Sequence, residues 1–251
     1  MSFAETLVLG TVTGLTIFLG LPVAKIRPVK TKYLAFLNAL AIGILLFLFV
    51  DITTHALEPV EATLKSGTGD APLLLALLLG GFGVGFLSLV YYGKRFMVGA
   101  AGTGRQLALL IATGIGLHNF SEGLAIGNSA QRGELALALT LVVGFGLHNV
   151  TEAFGIAAPV AGSHVGWGTL ALAGAIAGGP NFFGTALGYS FTSTPLSVLF
   201  LALAAGAIVF IVGELFAVGR RFTAPIWNGW GIAIGFFAGL LTDLILVAAG
   251  A

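Results

Sequence analysis

Two short segments of the chain carry the same set of ionisable and amide side chains. The first reads Gly-Leu-His-Asn-Phe-Ser-Glu over residues 116–122, and the second reads Gly-Leu-His-Asn-Val-Thr-Glu over residues 146–152. In each copy the His and the Glu are four positions apart, which places both side chains on one face of a helix. The Asn follows the His directly. The candidate ligands are therefore six side chains in two equivalent sets: His118, Asn119, Glu122, His148, Asn149 and Glu152.

Two imidazoles, two carboxylates and two amide oxygens that face one small volume form a cation site. Imidazole nitrogen suits zinc and other first-row transition ions, and the oxygen ligands also accept manganese and iron(II). The chain has no cysteine, which excludes disulfides and thiolate metal sites. A single membrane His or Asn is often only a packing group that bonds to a neighbouring helix. Two copies of the same motif on consecutive helices favour the cation site.

The composition places both segments in a membrane. Apolar residues make up 57% of the chain and charged residues only 8%, whereas roughly 25% of a soluble domain is charged. The net charge of +1 gives no reason to expect nucleic acid as a partner. The 38 glycines favour closely packed membrane helices.

Eight continuous apolar runs are each long enough to span the hydrocarbon core, which needs about 20 residues. A spanning segment must satisfy its own backbone hydrogen bonds, so we predict helices and an all-α polytopic membrane protein. The predicted domain is a single one over 1–251, with helices at about 3–22, 33–57, 71–92, 106–128, 134–158, 166–189, 195–218 and 226–248. Each motif His falls about halfway along its helix, near the bilayer midplane.

The distribution of Lys and Arg residues predicts how the chain is oriented in the membrane. Nine of the eleven fall in odd-numbered loops, so the positive-inside rule places those loops in the cytoplasm and both termini outside. The compact chain, which has no transit peptide, favours a prokaryotic plasma membrane.

At the motif residues the chain resembles the ZIP (ZRT/IRT-like) family of divalent-metal transporters, in particular its short prokaryotic members. The His-Asn-x-x-Glu-Gly pattern at 118–123 is highly specific for that family, and the second copy strengthens the resemblance. It implies a 3+2+3 inverted-repeat arrangement in which the fourth and fifth helices form a binuclear metal site, assisted by the second, sixth and seventh. It implies metal-ligand roles for the six motif residues, and a homodimer.

The chain departs from the family pattern at several positions. Many members have Pro immediately before each motif Glu, where this chain has Ser121 and Thr151. We therefore expect kinks that are softer, or that arise from Gly123, Gly144 and back-bonding hydroxyls. On the sixth helix, where relatives often have Glu, the candidate is Asn181, a neutral ligand that would hold a second metal more weakly. The second helix has no ligand near Ile44.

Other ionisable groups within the spans are weaker candidates. Glu214 would assist transport or proton exchange, or else bond to a neighbouring helix. Asp51 and His55 are four positions apart on the second helix and would form an outer relay or gate, whereas Asp243 is expected at the interface. The run Gly-Gly-Pro at 178–180 predicts a break in the sixth helix, with carbonyls that are buried or line a cavity.

The sequence as a whole predicts a carrier that moves a divalent transition metal into the cytoplasm by alternating access. Zinc is the first expectation, with iron, manganese, cobalt and cadmium as alternatives. The expected partners are these ions and the lipid bilayer, without a prosthetic group. Two other classes stay open. An intramembrane metalloenzyme would need a further acid or base beside an open coordination position, which we do not find. In a proton-conducting or structural membrane protein the His and Glu pairs would never bind metal.

Overall fold

The computed structural model describes residues 1–26, 30–67, 70–96 and 103–248. Arg27, one of the bases that predict the orientation, lies outside the described residues. The chain is 89% helical, and the described part contains no strand. Eight of its helices are long and apolar enough to cross a membrane, which confirms the predicted all-α polytopic membrane fold.

We number these helices α1 to α8 in chain order. Their bounds are Phe3–Lys25, Thr31–Ser66, Ala71–Arg95, Gly104–Gln131, Leu135–Val160, Trp167–Ser190, Thr194–Gly219 and Pro225–Ile245. The second helix continues well past its predicted end at 57. Its last turns are polar but favour helix, because Lys65 pairs with Glu61 one turn earlier at 3.1 Å. Gly67 then ends the helix with a left-handed φ of 68°.

α4, which carries the first motif copy, is the central helix. Of its most apolar window 78% is buried, against 22% in α3 and 17% in α8. α3 and α8 therefore present most of their surface to the surroundings, while α4 is enclosed by protein on nearly all sides.

The helix contacts repeat between the two halves of the chain. The contact of α2 with α8 corresponds to that of α7 with α3, and the contact of α6 with α4 corresponds to that of α1 with α5. Three further contacts join equivalent helices of the two halves: α1 with α6, α2 with α7, and α4 with α5. Exchanging α1, α2, α3 and α4 with α6, α7, α8 and α5 reproduces this pattern. The fold is thus the predicted 3+2+3 inverted repeat.

The repeat is held together by small residues that allow backbones to touch. Gly14 of α1 and Gly178 of α6 cross so closely that a Cβ on either would overlap the carbonyl oxygen of the other. The same close approach recurs at two equivalent places, Gly20 against the Val150 carbonyl and Gly184 against the Phe120 carbonyl. Close backbone approach of this kind is how membrane helices gain packing contacts.

α2 and α7 share a sequence pattern, which was not among the predicted repeats. Both read Ala-Leu-Ala-x-Gly-x-x-x-Phe-x-x-x followed by an acid, over residues 39–51 and 202–214. The two Phe side chains make matching edge-to-face contacts with α8 and α3, Phe47 with Phe236 at 5.9 Å and Phe210 with Phe86 at 6.4 Å. Asp51 and Glu214 therefore occupy equivalent positions in the two halves.

The break predicted at 178–180 is wrong, because α6 is continuous from Trp167 to Ser190 with Pro180 inside it. Pro180 removes the amide donor that would serve the Ile176 carbonyl. Gly116 of α4 packs directly on that carbonyl oxygen. The neighbouring backbone thus shields the freed group, and the helix tolerates the proline.

Candidate metal site

The six motif side chains lie in the protein interior where α4 meets α5. Their exposed fractions are 1% for His118, 3% for Glu122, 5% for His148 and 0% for Asn119, Asn149 and Glu152. Buried ionisable groups are costly unless other groups or a cation compensate them. What each side chain contacts therefore decides what this part of the protein can do.

The two motif copies meet at His118. Its Nε2 lies 3.3 Å from Oε1 of Glu122, one turn further along α4. The same Nε2 lies 3.5 Å from Oε1 of Glu152, which comes from α5. One imidazole nitrogen thus faces a carboxylate from each copy of the motif.

Each motif Asn ties the pair α4 and α5 to another helix. Asn119 donates from Nδ2 to the Ala177 carbonyl of α6 at 3.1 Å. Asn149 donates from Nδ2 to the Thr13 carbonyl of α1 at 2.9 Å. The two bonds are equivalent in the inverted repeat and flank the crossing of α1 and α6. The Asn side chains therefore position helices, a role that the motif spacing did not predict.

The hydroxyls of Ser121 and Thr151, which come directly before the two motif Glu residues, bond back to their own helices. Ser121 donates to the His118 carbonyl and Thr151 to the His148 carbonyl, both at 2.7 Å. α4 runs as one helix through this region. The back-bonding predicted from the sequence is thus present, and it uses the carbonyls of the two motif histidines.

Many buried polar atoms of the site make no hydrogen bond of acceptable geometry with a described residue, even where, as at His118 Nε2, a carboxylate oxygen lies within 3.5 Å. They are both ring nitrogens of His118 and His148, Oδ1 of Asn119, Asn149 and Asn181, Oε1 of Glu122, and both carboxylate oxygens of Glu152. Native proteins rarely leave buried polar atoms unpaired. Nearly all these atoms have lone pairs to offer, so the set fits a cation better than it fits a further protein donor.

The ionisable side chains of the two motif copies do not surround a common point in this structure. No three His, Asp or Glu side chains in the described part of the chain lie close enough together to hold a metal ion as they stand. His148 lines the same cavity as His118 and Glu122 but makes no ion pair with a described residue. An ion bound by both motif copies would therefore require side-chain rotation, chiefly of His148.

Asn181, the candidate on α6, is fully buried beside Glu122. Its Nδ2 lies 3.5 Å from Oε2 of that carboxylate. The crossing of Gly14 and Gly178 shows that the equivalent residue on α1 is Ile17, which is buried and apolar. Of these two equivalent positions, only the one beside Glu122 therefore carries a polar side chain.

A cavity of about 480 Å³ connects the site with one end of the protein. Its inner wall contains His118, Glu122 and His148, and Asp51 and His55 of α2 line it further out. Nδ1 of His55 lies 3.0 Å from the Asp51 carbonyl oxygen and 3.5 Å from Oδ1 of the same residue. The structure thus places this candidate pair beside the route to the buried site.

Glu214 lies away from this cavity. It is half-buried on α7, and no ion pair to a described residue involves it. Because α2 and α7 run in opposite directions through the fold, Asp51 and Glu214 lie on opposite sides of the midplane. Glu214 therefore belongs to the other end of the molecule.

α4 carries a polar stripe that was not predicted from the sequence. Ser121, Asn128, Ser129 and Arg132 all line the cavity, from the motif to the end of the helix. From Ser121 and Glu122 onward, Ala125, Asn128, Ser129 and Arg132 follow in steps of three or four residues, which is the spacing that predicts one helix face.

Comparison of the chain with protein-family models and with curated proteins finds no match. No family is therefore assigned to the chain, and the resemblance to ZIP transporters stays a prediction from the sequence motifs.

Proposed function

We propose that this protein is a membrane carrier for divalent transition-metal ions, with the six motif side chains as the binding site and zinc as the first candidate. The observation that carries the proposal is the position of His118 Nε2, 3.3 Å from Glu122 and 3.5 Å from Glu152. One imidazole nitrogen thus contacts a carboxylate from each of two helices in a buried place.

The charges of this site suit a divalent ion. Glu122 and Glu152 together neutralise a charge of two, whereas a monovalent cation would leave one carboxylate uncompensated in a low-dielectric interior. The histidines bind as neutral ligands, and their nitrogens favour transition ions over magnesium and calcium. Without cysteine the site lacks the thiolate ligands of structural zinc sites, which favours reversible binding.

The cavity provides the path by which an ion would reach the buried site from one end of the protein. If Nδ1 of His55 is protonated and donates to Asp51, its Nε2 is left with a lone pair for a passing ion. Asp51 and His55 then act as an outer relay to the buried site. By the positive-inside rule this end of the protein faces outward, so uptake runs into the cytoplasm through a plasma membrane, with both termini outside.

Alternating access is favoured by the inverted repeat. α1, α4, α5 and α6 are tied together by the Asn119 and Asn149 bonds and the glycine contacts around them. Movement of this group against α2, α3, α7 and α8 would close the present cavity and open an equivalent one at the other end. Glu214, the counterpart of Asp51, would then line the path of release.

Asn181 beside Glu122 supports a second, weaker cation position. Its oxygen is neutral, and α1 offers only Ile17 at the equivalent place. Occupancy of this position is expected only at higher ion concentrations than occupancy of the first.

A second candidate function is proton conduction, favoured by the same contacts, because an imidazole between two carboxylates is also a proton relay. Purified protein in proteoliposomes separates the two. We expect saturable uptake of zinc or cadmium at neutral pH, lost in the Glu122→Gln and Glu152→Gln variants. Proton flux without metal uptake would instead establish proton conduction. If neither protons nor metal ions cross the membrane, a structural or enzymatic role is left.

A further inference from the structure

Arg132 occupies a distinctive place in the cavity that leads to the site. It ends α4, and its backbone N–H donates to the Asn128 carbonyl at 3.1 Å. Arg132 lines the cavity together with Asp51 and Asp243. Among the described residues of the cavity wall it is the only one with a permanent positive charge. A guanidinium is an unexpected group on a path for cations.

The position of Arg132 along α4 determines where its charge acts. It lies ten residues beyond Glu122, roughly 15 Å along the helix axis at 1.5 Å per residue. Charges in salt solution are screened over about 8 Å. Arg132 therefore affects an ion at the mouth of the cavity, near Asp51 and Asp243, much more than an ion already bound between Glu122 and Glu152.

The carboxylates at the mouth create a problem for a selective carrier. Two carboxylates in one partly enclosed volume attract calcium and magnesium, which prefer oxygen ligands and are common divalent ions. An ion held too firmly at the mouth would also obstruct those behind it, because conduction requires binding that is weak enough to reverse. A fixed cation in the same wall offsets part of this attraction.

We propose that Arg132 determines cation specificity at the mouth of the cavity: its charge keeps calcium and magnesium from accumulating at Asp51 and Asp243. A transition ion passes because it gains imidazole ligands further inside, which calcium and magnesium do not. This inference depends on the proposed function for its biological meaning, but the charge effect itself can be measured without transport.

A charge at the end of a helix also has a purely local role, since Arg near a C-terminus interacts favourably with the helix dipole. That role would give Arg132 an effect on the stability of α4 and none on ions in the cavity. The test must therefore measure the electrostatic potential inside the cavity.

The absence of native cysteine makes this measurement direct. Ala125 lines the cavity between Glu122 and Arg132, so Ala125→Cys provides a single reactive thiol there. The rates of modification by a positively and a negatively charged methanethiosulfonate reagent are compared, and their ratio reports the local potential. Ala62→Cys, exposed on α2 outside the cavity wall, provides the matched control thiol.

Adding Arg132→Gln to the Ala125→Cys protein should raise the ratio of positive-reagent to negative-reagent rates at the cavity thiol by on the order of 5-fold. Millimolar calcium should then slow the positive reagent in this variant and leave the Ala125→Cys protein with native Arg132 unaffected. Arg132→Lys should behave like native Arg132. Lys65→Gln, which removes a base from the control region, should leave the cavity thiol unchanged.

An unchanged ratio in Arg132→Gln, or calcium protection that is equal with and without that substitution, would overturn the inference. Metal uptake by the same proteins separates the two proposals. If the parent takes up zinc and Arg132→Gln gains no calcium inhibition, the specificity role fails alone. If the parent takes up no metal, the proposed function fails, while the thiol measurement still decides whether Arg132 sets the cavity potential.

Discussion

Nε2 of His118 on α4 lies 3.5 Å from Oε1 of Glu152 on α5. This is the described contact that joins the ionisable groups of the two motif copies. Each copy alone would be a His and a Glu on one helix face, which is common and uninformative. The buried contact between His118 and Glu152 makes the two copies parts of one site.

The histidines should determine which metal is preferred. His118→Ala and His148→Ala should each impair zinc uptake at least 10-fold more than manganese uptake, because manganese depends less on imidazole nitrogen. Competition between the two ions in proteoliposomes measures this directly. His164→Ala, outside the motif copies, is the control. Equal losses for both ions would mean that the histidines only support the packing.

Acidification should suppress metal binding. A ligating His must be neutral and a ligating Glu ionised, so protons compete with the metal, and each proton released weakens binding by up to about 10-fold per unit fall in pH. Equilibrium titration with cadmium between pH 7.5 and 5.5 tests this. An inward proton gradient that accelerates uptake would contradict simple competition and indicate coupling instead.

The bond from Asn149 to the Thr13 carbonyl should contribute to stability as well as to binding. Asn149→Asp keeps an oxygen at the site but removes the donor, so the unfolding free energy should fall by about 1–3 kcal/mol. Thermal unfolding in detergent compares it with Asn119→Asp, which removes the equivalent bond to Ala177. Unchanged unfolding in both variants would show that the two bonds do not hold α1 and α6.

Asn181→Asp should tighten ion binding without increasing the transport rate. The new carboxylate adds a charged oxygen beside Glu122, so the apparent dissociation constant for zinc or cadmium should fall. An ion held more firmly leaves more slowly, and the maximal rate should be unchanged or reduced. Thr185→Val, one turn further along α6, is the control. Identical affinity and stoichiometry in Asn181→Asp and the parent would place Asn181 outside the metal shell.

Local sequence patterns account for much of this structure. Continuous apolar runs predict the helices because the bilayer forces each span to bond internally, and the repeated motif predicts that α4 and α5 carry related side chains. The end of α2 was predicted too early. Hydropathy detects only the apolar part of a helix, whereas α2 continues through a polar segment in which Lys65 pairs with Glu61.

Other features depend on partners that are distant in the chain. The continuity of α6 at Pro180 requires Gly116 from α4, and the positioning role of Asn149 requires a carbonyl of α1. No window of sequence contains both members of either pair. The correspondence of Asp51 with Glu214 was different, because the shared pattern at 39–51 and 202–214 was readable without any structure.

Equilibrium zinc binding to the parent and to the Glu122→Gln, Glu152→Gln and doubly substituted proteins tests the central claim most directly, with zinc X-ray absorption to identify the ligands. We predict imidazole and carboxylate coordination in the parent and a loss of affinity of at least ~100-fold in each variant, since removing the negative charge of a direct ligand should cost more than the 10- to 100-fold typical of outer partners. Glu134→Gln, at the start of α5 and away from the site, should bind like the parent. Zinc binding of parental strength in the doubly substituted protein, at normal folding, would contradict the proposal that the two motif copies form a metal site.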